Sequence, residues 1–523
     1  MALKRRHSRT SAHTPSSLHK PRGLINDRVA KVGPAHFGIA CFDSHKGQTQ
    51  WLLADFFGNV LLPSASLEHN QPALDQAIAQ LHAARQQHDL HDLIVVVERT
   101  GRYHRVVQRA FADAGFEVRV LHPYATKQFR QVANPGDKTD NHDLAAMQRA
   151  TTSGFALIEN QRDDMWTTFL LLVRYRRTLV RQCARLRCQI RHHLDAAFPG
   201  FMDAFKDFWD NNCPWPIARH FASAQAILKA GLAGLCQVLK DQGIHFHRRS
   251  LTPLLDWARQ APAADVAAGT YQRIALALQE DYQQKKQEIR QLEQELAGLL
   301  CRTGYVRLLS CPGLNIVSAA DLAAELGPIE HYATATAITG RAGLRPSRYQ
   351  SGKVDRRGGP ILRCGNRALR AALLRGADCL ISSNAYFKQL AQTWEQAGVK
   401  ARHIRIKVGQ RLARILYHLV ADNQVFCHPN YEGRHYILNK LIEFHLEQGT
   451  AAATLSADLE ATVPQLPATE RAAEAKPVKE YLESLQNGGH RDRLGLAALL
   501  PNVLALLGVK RVQSKKSGAR GPR

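Results

Sequence analysis

The sequence predicts an α/β domain followed by a mostly α-helical domain, with a helical region between them. Strand-like and helix-like segments alternate over residues 35–155. One strand, Leu93-Ile-Val-Val-Val97, is an unbroken apolar run, as expected for a strand buried on both faces of a sheet. A long helical repeat over residues 271–300 then precedes a helical region at 301–430. These observations predict a mixed sheet flanked by helices, and a separate helical domain after it.

The charge of the chain favours a polyanionic partner. Its 523 residues carry a formal net charge of +25 at pH 7, with a pI near 9.9. The Lys and Arg residues are concentrated in four segments, at residues 1–35, 171–193, 341–375 and 510–523. A solvated basic surface explains one such cluster, whereas four of them indicate nucleic acid as the partner.

The cysteines and the apolar segments exclude other classes. None of the ten Cys residues forms a Cys-x-x-Cys pair, so a zinc site has little support, and we expect reduced thiols. No apolar run approaches the roughly 20 residues of a membrane span. The N-terminus is charged but lacks the apolar segment of a secretory signal. We therefore expect no membrane association and a cytoplasmic protein.

The N-terminal half is predicted to begin with a basic, disordered tail at residues 1–34, which lacks periodicity. Residues 35–155 form the α/β domain, in the order three strands, helix, strand, helix, strand, helix. In a sheet of this order the first and fourth strands are neighbours.

The remainder of the chain is predicted to be largely helical. Residues 156–300 form a helical linker, and the apolar stripe at 271–300 predicts a coiled-coil arm or a helical hairpin. Residues 301–430 form the second domain, and residues 431–523 form an extension in which 451–476 is expected to be a loose linker.

Four carboxylates are predicted to converge in the α/β domain. Asp43 ends the first strand and Glu98 ends the fourth, so the two should meet at one edge of the sheet. Asp140 and Asp143 are three residues apart at the start of a helix, which places them on one face. Oxygen ligands of this kind suit Mg²⁺, and two such ions would stabilise the attacking and leaving oxygens of a phosphodiester. In the alternative interpretation these residues have structural roles alone. Asp43 is then a turn residue, Glu98 forms a salt bridge at the end of its strand, and Asp140 and Asp143 form the acidic first turn of a helix.

The second domain contains two further motifs. Pro312-Gly-Leu314 between apolar helices is typical of a helix-hairpin-helix-like element, whose backbone N–H groups contact DNA phosphates. Ser351 precedes Gly352 in a basic loop, where chemistry alone favours a turn or a phosphate contact. The basic residues expected to bind DNA or RNA surround this serine or begin the following helix: Arg345, Arg348, Lys353, Arg356, Arg357, Arg367 and Arg370.

These motifs resemble those of the DEDD transposases of bacterial insertion sequences, relatives of the Piv DNA invertase that include RNA-guided bridge recombinases. The resemblance rests on motifs in both halves, in the family's order: Asp43-Ser-His-Lys46, Glu98-Arg-Thr-Gly-Arg-Tyr103, Lys138-Thr-Asp-Asn-His-Asp143, Gly343-Leu-Arg-Pro346, Tyr349-Gln-Ser-Gly352 and Gly365-Asn-Arg-Ala-Leu-Arg370. One departure is that the family's first Asp usually follows Gly-Ile directly, whereas three residues separate Ile39 from Asp43.

The resemblance implies a RuvC-like, ribonuclease-H-type N-terminal domain and a C-terminal transposase domain. It implies that Asp43, Glu98, Asp140 and Asp143 hold Mg²⁺, with two ions expected, and that Ser351 is a nucleophile that becomes linked to DNA. It also implies a homo-oligomer, dimer or tetramer, a structured guide RNA, and a location at the bacterial nucleoid. Two alternatives stay open: a Holliday-junction-type endonuclease in which water attacks, and a non-catalytic nucleic-acid-binding protein.

Overall fold

The computed structural model describes residues 22–159, 162–352, 354–362, 364–427 and 437–467; for 356–358, 439 and 452 it describes the backbone alone. The chain forms two compact units, residues 1–161 and 162–523. Each unit has its own apolar core, and each is described separately below.

A six-stranded sheet forms the centre of the first unit, in the order β3-β2-β1-β4-β5-β6. Its strands are β1 (Phe37–Ser44), β2 (Gln48–Asp55), β3 (Val60–Glu68), β4 (Asp92–Glu98), β5 (Glu117–Leu121) and β6 (Leu157–Ile158). Strand β1 pairs antiparallel with β2 and parallel with β4. The predicted adjacency of the first and fourth strands is therefore confirmed.

Helices cover both faces of this sheet, which explains the unbroken apolar run in β4. The helices are α1 (Asn26–Val32), α2 (Gln71–Gln87), α3 (His104–Asp113), α4 (Pro123–Ala133) and α5 (Asp140–Thr152). Successive strand side chains point to opposite faces. Val95 and Val97 share a core with Leu81 of α2. Val96 belongs instead to the core that contains Leu144 of α5.

Residues 26–32 are helical, so the predicted disordered tail does not extend to residue 34. Val29 of α1 is buried in the core beneath the sheet. Arg28 forms a bidentate ion pair with Asp92, with N–O distances of 2.6 and 2.8 Å, and donates to Glu117 at 2.6 Å. Two buried apolar residues, Ile25 and Val29, and one paired arginine thus attach this basic segment to the domain. Residues 1–21 lie outside the described part of the chain.

Two helices of 34 residues form the long element of the second unit: α6 (Asp164–Ala197) and α10 (Ala268–Cys301). Arg176 Nε lies 2.7 Å from Glu293 Oε1, and Arg187 Nη2 lies 2.7 Å from the Tyr282 hydroxyl. Residues later in α6 contact residues earlier in α10, so the two helices form an antiparallel pair within one chain. Between them, α7 (Pro214–His220), α8 (Ala224–Asp241) and α9 (Thr252–Gln260) surround an aromatic core that includes Phe201 and Trp215.

The arginines of residues 171–193, expected to face nucleic acid, are largely paired with the protein itself. Arg174 and Arg177 both contact Glu325, whose side chain is fully buried. Arg177 also contacts Asp321, as does Arg375 at 2.6 Å. A buried charge is tolerated when it is paired and hydrogen-bonded. The basic composition of this segment therefore reflects internal ion pairs to a large extent, and nucleic-acid contact by it stays a prediction.

The rest of the second unit is mostly helical, as predicted, but it contains one two-stranded hairpin that the sequence did not indicate. Its helices are α11 (Ile316–Leu326), α12 (Ala335–Arg341), α13 (Arg367–Ser383), α14 (Ala385–Gln396), α15 (Ala401–Ala421), α16 (Ile437–Gln448) and α17 (Ala452–Thr462). The hairpin is β7 (Pro346–Ser351) with β8 (Val354–Ile361). The linker prediction is wrong for α17, because Leu455 and Leu459 are buried in the main core.

No single helix in the described residues is long and apolar enough to cross a membrane. One pair, α7 and α8, passes by length and composition only when taken together, and it is bent by 118°.

Candidate active site

Asp43 and Glu98 lie side by side at one edge of the sheet because their strands run parallel. The register pairs Phe42 with Val97, so the residues that follow, Asp43 and Glu98, lie at the same level near the C-terminal ends of the two strands. Asp43 and Glu98 are 3% and 9% exposed. The loops beyond them are tied together, since the Thr100 hydroxyl donates to the Ser44 carbonyl at 2.5 Å. The convergence predicted from strand order is present.

Helix α5 adds the other two carboxylates. Thr139 caps the helix by accepting a hydrogen bond from the His142 N–H at 3.2 Å, which fixes where the first turn begins. Leu144 and Met147 are fully buried on the face of α5 that packs on the sheet. This packing places Asp143 in the interior at 5% exposure, while the Asp140 side chain is 56% exposed. The predicted pair thus has one inner and one outer member.

Burial and like charge make these carboxylates hard to ionise together. Burial, and then the charges of Asp43 and Asp143, raise the pKa of Glu98 from 4.5 to about 7. The pKa of Asp43 is raised chiefly by burial, against the opposing influence of His45, and further by Asp143 and Asp140. Neighbouring carboxylates shift in this way when no cation lies between them.

Two nitrogen groups at the site were missed in the sequence. Arg130 of α4 forms an ion pair with Asp143 in which both side chains are nearly buried. His45 directs Nε2 toward Asp43 and Asp140, at 3.5 and 3.9 Å from their nearest carboxylate oxygens. The sequence could have indicated His45 as a site residue, since it follows Asp43 by two residues. Arg130 carries none, because only the packing of α4 against α5 brings it to the site.

The residues present fit a divalent cation. Asp43 Oδ1 is buried and has no hydrogen-bond partner among the described residues, although a buried carboxylate oxygen is costly to leave unpaired. Donor atoms of Asp43, His45 and Asp140 all lie within 4.8 Å of one another. Asp43 Oδ2 faces His45, and the Asp43 and Glu98 side chains lie within hydrogen-bonding reach of each other, a contact that requires a shared proton or a bound cation. Hard oxygen donors of this kind bind divalent cations such as Mg²⁺ and Mn²⁺.

Ser351 lies in the other unit, at the last residue of β7. It pairs with Val354, and Gly352 beyond it has φ of +54°, a conformation that suits glycine in a tight turn. Ser351 and Tyr349 are both exposed. The structure therefore assembles the four carboxylates within the first unit and presents the serine at the tip of a hairpin in the second.

The basic residues predicted to surround Ser351 differ in the contacts that they make within the protein. Arg348 forms a bidentate pair with Asp355, with distances of 2.8 and 2.9 Å. Arg370 donates to three backbone carbonyls at the base of the hairpin, those of Ala342, Leu362 and Cys364, and so holds the hairpin against α13.

Exposure separates the other predicted nucleic-acid contacts. Arg345 and Arg367 are exposed, and Arg345 donates to the Thr336 carbonyl at 3.2 Å. Lys353 and the side chains of Arg356 and Arg357 lie outside the described part. Nucleic-acid contact stays a prediction for all of these residues.

The Pro312-Gly313 turn is closely packed within its own unit. Gly313 has φ of +92°, and a Cβ there would lie 2.8 Å from the Cys379 carbonyl oxygen. The Lys440 ammonium donates to the carbonyls of Leu309, Cys311 and Leu314, at 2.7 to 3.2 Å. These contacts fix the turn, and a phosphate contact from it stays a prediction.

Comparison with known proteins matches both halves of the chain. Residues 40–199 match a family model described as a transposase, the DEDD type of IS110. Residues 305–392 match a model described as the transposase IS116/IS110/IS902 family. A protein of Streptomyces coelicolor, the insertion element IS110 uncharacterized 43.6 kDa protein, is 21% identical over 337 residues, which cover 64% of this chain and 83% of the relative. The first match contains the carboxylates, and the second contains the Ser351 hairpin.

Proposed function

We propose that this chain, whose residues 40–199 and 305–392 match transposase family models of the IS110 type, cuts and rejoins the DNA of an insertion sequence through a serine-linked intermediate. The carboxylate cluster holds divalent cations, Mg²⁺ in the first instance, and Ser351 is the nucleophile. The observation that carries the proposal is the buried Asp43 carboxyl, which lies close enough to Glu98, Asp140 and Asp143 for these acids to shift its pKa and has one oxygen without a hydrogen-bond donor among the described residues.

The residues of the chain have distinct roles in this reaction. Asp43, Glu98, Asp140 and Asp143 would hold the cations, which supply Lewis-acid activation of the attacking and leaving oxygens. The Ser351 Oγ forms a bond to phosphorus as the bond to the 3′ oxygen breaks, and the serine proton is balanced by the proton that the 3′ oxygen takes up. The resulting phosphoserine ester retains the energy of the phosphodiester, so rejoining needs no ATP.

An oligomer is part of this proposal, and it rests on the family resemblance. A serine hydroxyl needs a base or a metal to become a nucleophile, and arginines supply neither. Ser351 is exposed among basic residues, and the carboxylates belong to the other unit. We propose that the serine of one subunit serves the carboxylates of another, in a dimer or tetramer that acts in the bacterial cytoplasm at the nucleoid. The RuvC-like assignment of the first unit belongs to this proposal.

A labelled-DNA assay tests the serine mechanism. The wild-type protein, incubated with element-end DNA and Mg²⁺, should give a protein–DNA adduct on denaturing electrophoresis. Ser351→Ala should abolish the adduct, whereas Ser347→Ala, a change in the same strand, should retain it. Cation-dependent cutting that survives Ser351→Ala would refute the serine mechanism and identify a nuclease in which water attacks.

Guide RNA is the second proposed partner, and it rests on the net charge of +25 and on the family resemblance. Purifying the protein under native conditions and sequencing the bound RNA tests it. One discrete RNA from the flank of the element is expected. Recovery of random cellular RNA alone would show that the basic segments bind polyanions in general and would contradict the guide-RNA proposal.

A further inference from the structure

His45 lies at the mouth of the carboxylate site between two of its acids. Its Nε2 is 3.5 Å from Asp43 Oδ2 and 3.9 Å from Asp140 Oδ1. The side chain is 43% exposed, and it meets one carboxylate from a buried strand end and one from the outer turn of α5. Residues from two separately positioned elements therefore surround a point that is open to solvent.

The spacing of these atoms differs from that of a hydrogen-bonded ion pair. Charge-assisted N–H···O bonds are about 2.7–2.9 Å long, and neither His45 distance approaches that value. A divalent cation with bonds of about 2.1 Å separates its ligands by about 3.0 Å at right angles and by about 4.2 Å when they are opposed. Both distances at His45, 3.5 and 3.9 Å, fall within this interval.

A second histidine–carboxylate group in the first unit provides a contrast. His36, Asp89 and His91 also lie close together, with N–O distances of 3.3 and 3.2 Å. There, however, His36 Nδ1 already contacts the Asp89 backbone carbonyl at 2.8 Å, and the Asp89 side chain is 72% exposed. This group is satisfied as a surface ion pair, whereas the group at His45 adjoins a buried carboxylate with an unpaired oxygen.

We propose that His45 Nε2 is a direct ligand, with Asp43 and Asp140, of the outer divalent cation, and that it makes this position favour Mn²⁺ over Mg²⁺. The inference rests on the proposed function, in which the carboxylates hold cations. Imidazole nitrogen is a poor ligand for Mg²⁺ but an acceptable one for transition metals, whereas carboxylate oxygen suits both. A single nitrogen donor therefore biases the choice of cation while the remaining ligands still bind Mg²⁺.

Pulsed electron paramagnetic resonance of Mn²⁺ bound to the full-length protein tests direct ligation without relying on activity. A coordinated imidazole gives a ¹⁴N coupling, which we expect in the wild type and in His91→Ala, the control from the surface ion pair. The coupling should be absent in His45→Ala. Calorimetric titration of the same proteins should show Mn²⁺ affinity reduced about tenfold or more by His45→Ala, with Mg²⁺ affinity changed by less than about threefold.

The results of these experiments distinguish failure of the His45 proposal from failure of the proposed function. Cation binding that disappears in Asp43→Asn, combined with no ¹⁴N coupling in the wild type, would overturn the role of His45 alone. Equal losses of Mn²⁺ and Mg²⁺ affinity in His45→Ala would do the same. Failure of the wild type to bind either cation, or binding unchanged by Asp43→Asn, would overturn the proposed function and this inference with it.

Discussion

The carboxylate cluster and the Ser351 hairpin contrast in how their own units support them. Asp43 and Glu98 end two strands that are paired on both sides within a six-stranded sheet, and helices cover both faces. Ser351 ends a strand of a two-stranded hairpin and is exposed. The core of the first unit thus holds its acids in place even though their charges repel, whereas the second unit presents its serine to the surroundings.

This contrast indicates what each region lacks. Burial and the neighbouring acids raise the pKa values of Asp43 and Glu98, so a cation bound beside them would lower the free energy of the folded first unit. Ser351 is exposed, and the carboxylate of Asp355 on the same hairpin is paired with Arg348. Substitution of the carboxylates should therefore weaken both cation binding and catalysis, whereas substitution of Ser351 itself should remove catalysis alone.

Asp43→Asn should have the largest effect on the reaction. It removes the carboxylate that lies beside both His45 and Glu98 while preserving the side-chain shape. We expect DNA cleavage to fall by about 10²- to 10³-fold, as when a principal electrostatic group is lost. The measurement is the rate of cleavage of labelled element-end DNA, with Asp113→Asn, an exposed residue of α3, as the control. An equal loss in both variants would argue against a specific role.

Glu325→Ala should have the largest effect on stability, and it lies in the unit without the carboxylate site. Burial alone would raise the pKa of Glu325, but Arg174 and Arg177 lower it overall. Removing one partner from a buried ion network costs about 3–5 kcal/mol. Urea unfolding should show this loss, while Glu330→Ala, at an exposed position, should show little change.

The contribution of Glu325 to the free energy of unfolding should depend on pH. The folded-state pKa of Glu325 lies below its unfolded value, so its contribution is present at neutral pH and is lost as pH falls through the folded pKa. The stability difference between the wild type and Glu325→Ala should therefore shrink in acid. A difference that is constant from neutral to acidic pH would contradict the ion-network account.

Glu98→Gln should stabilise the cation-free protein at high pH. The folded pKa of Glu98 is raised from 4.5 to about 7, so its favourable contribution is present below 4.5 and lost as pH rises through about 7. With chelator at pH 8, the variant should exceed the wild type by about 1–3 kcal/mol, and at pH 5 the two should nearly coincide. Unfolding curves at both pH values test this, with Glu68→Gln, at the exposed edge of β3, as the control. A pH-independent difference would contradict the prediction.

Arg348→Ala should have the smallest effect on stability. Its pair with Asp355 is half exposed, at 52% and 27% for the two side chains, and solvent screens exposed pairs so that they add little to stability. Thermal unfolding should therefore be nearly unchanged, whereas DNA affinity at low salt should fall if the arginine contacts phosphate. A large loss of stability would show that the hairpin depends on this pair.

The sequence predicted the first unit well because its signals are local and strong. The run from Leu93 to Val97 is apolar throughout because both faces of β4 are covered, and strand order alone placed Asp43 beside Glu98. The hairpin at Ser351 gave no such signal, since a strand with polar, exposed residues lacks apolar alternation. Arg130 and the pairing of Arg174 and Arg177 with Glu325 depend on tertiary packing, which composition and spacing do not encode.

In the proposed mechanism the carboxylate cluster and Ser351 act on the same phosphate. The most direct test is tandem mass spectrometry of the adduct formed with element-end DNA, with and without Mg²⁺, in the wild type and in Asp43→Asn. We predict a single modified residue, Ser351, in the wild type with Mg²⁺, and no adduct after removal of the cation or in Asp43→Asn. An adduct at another residue, or one on Ser351 that persists in Asp43→Asn, would contradict this account.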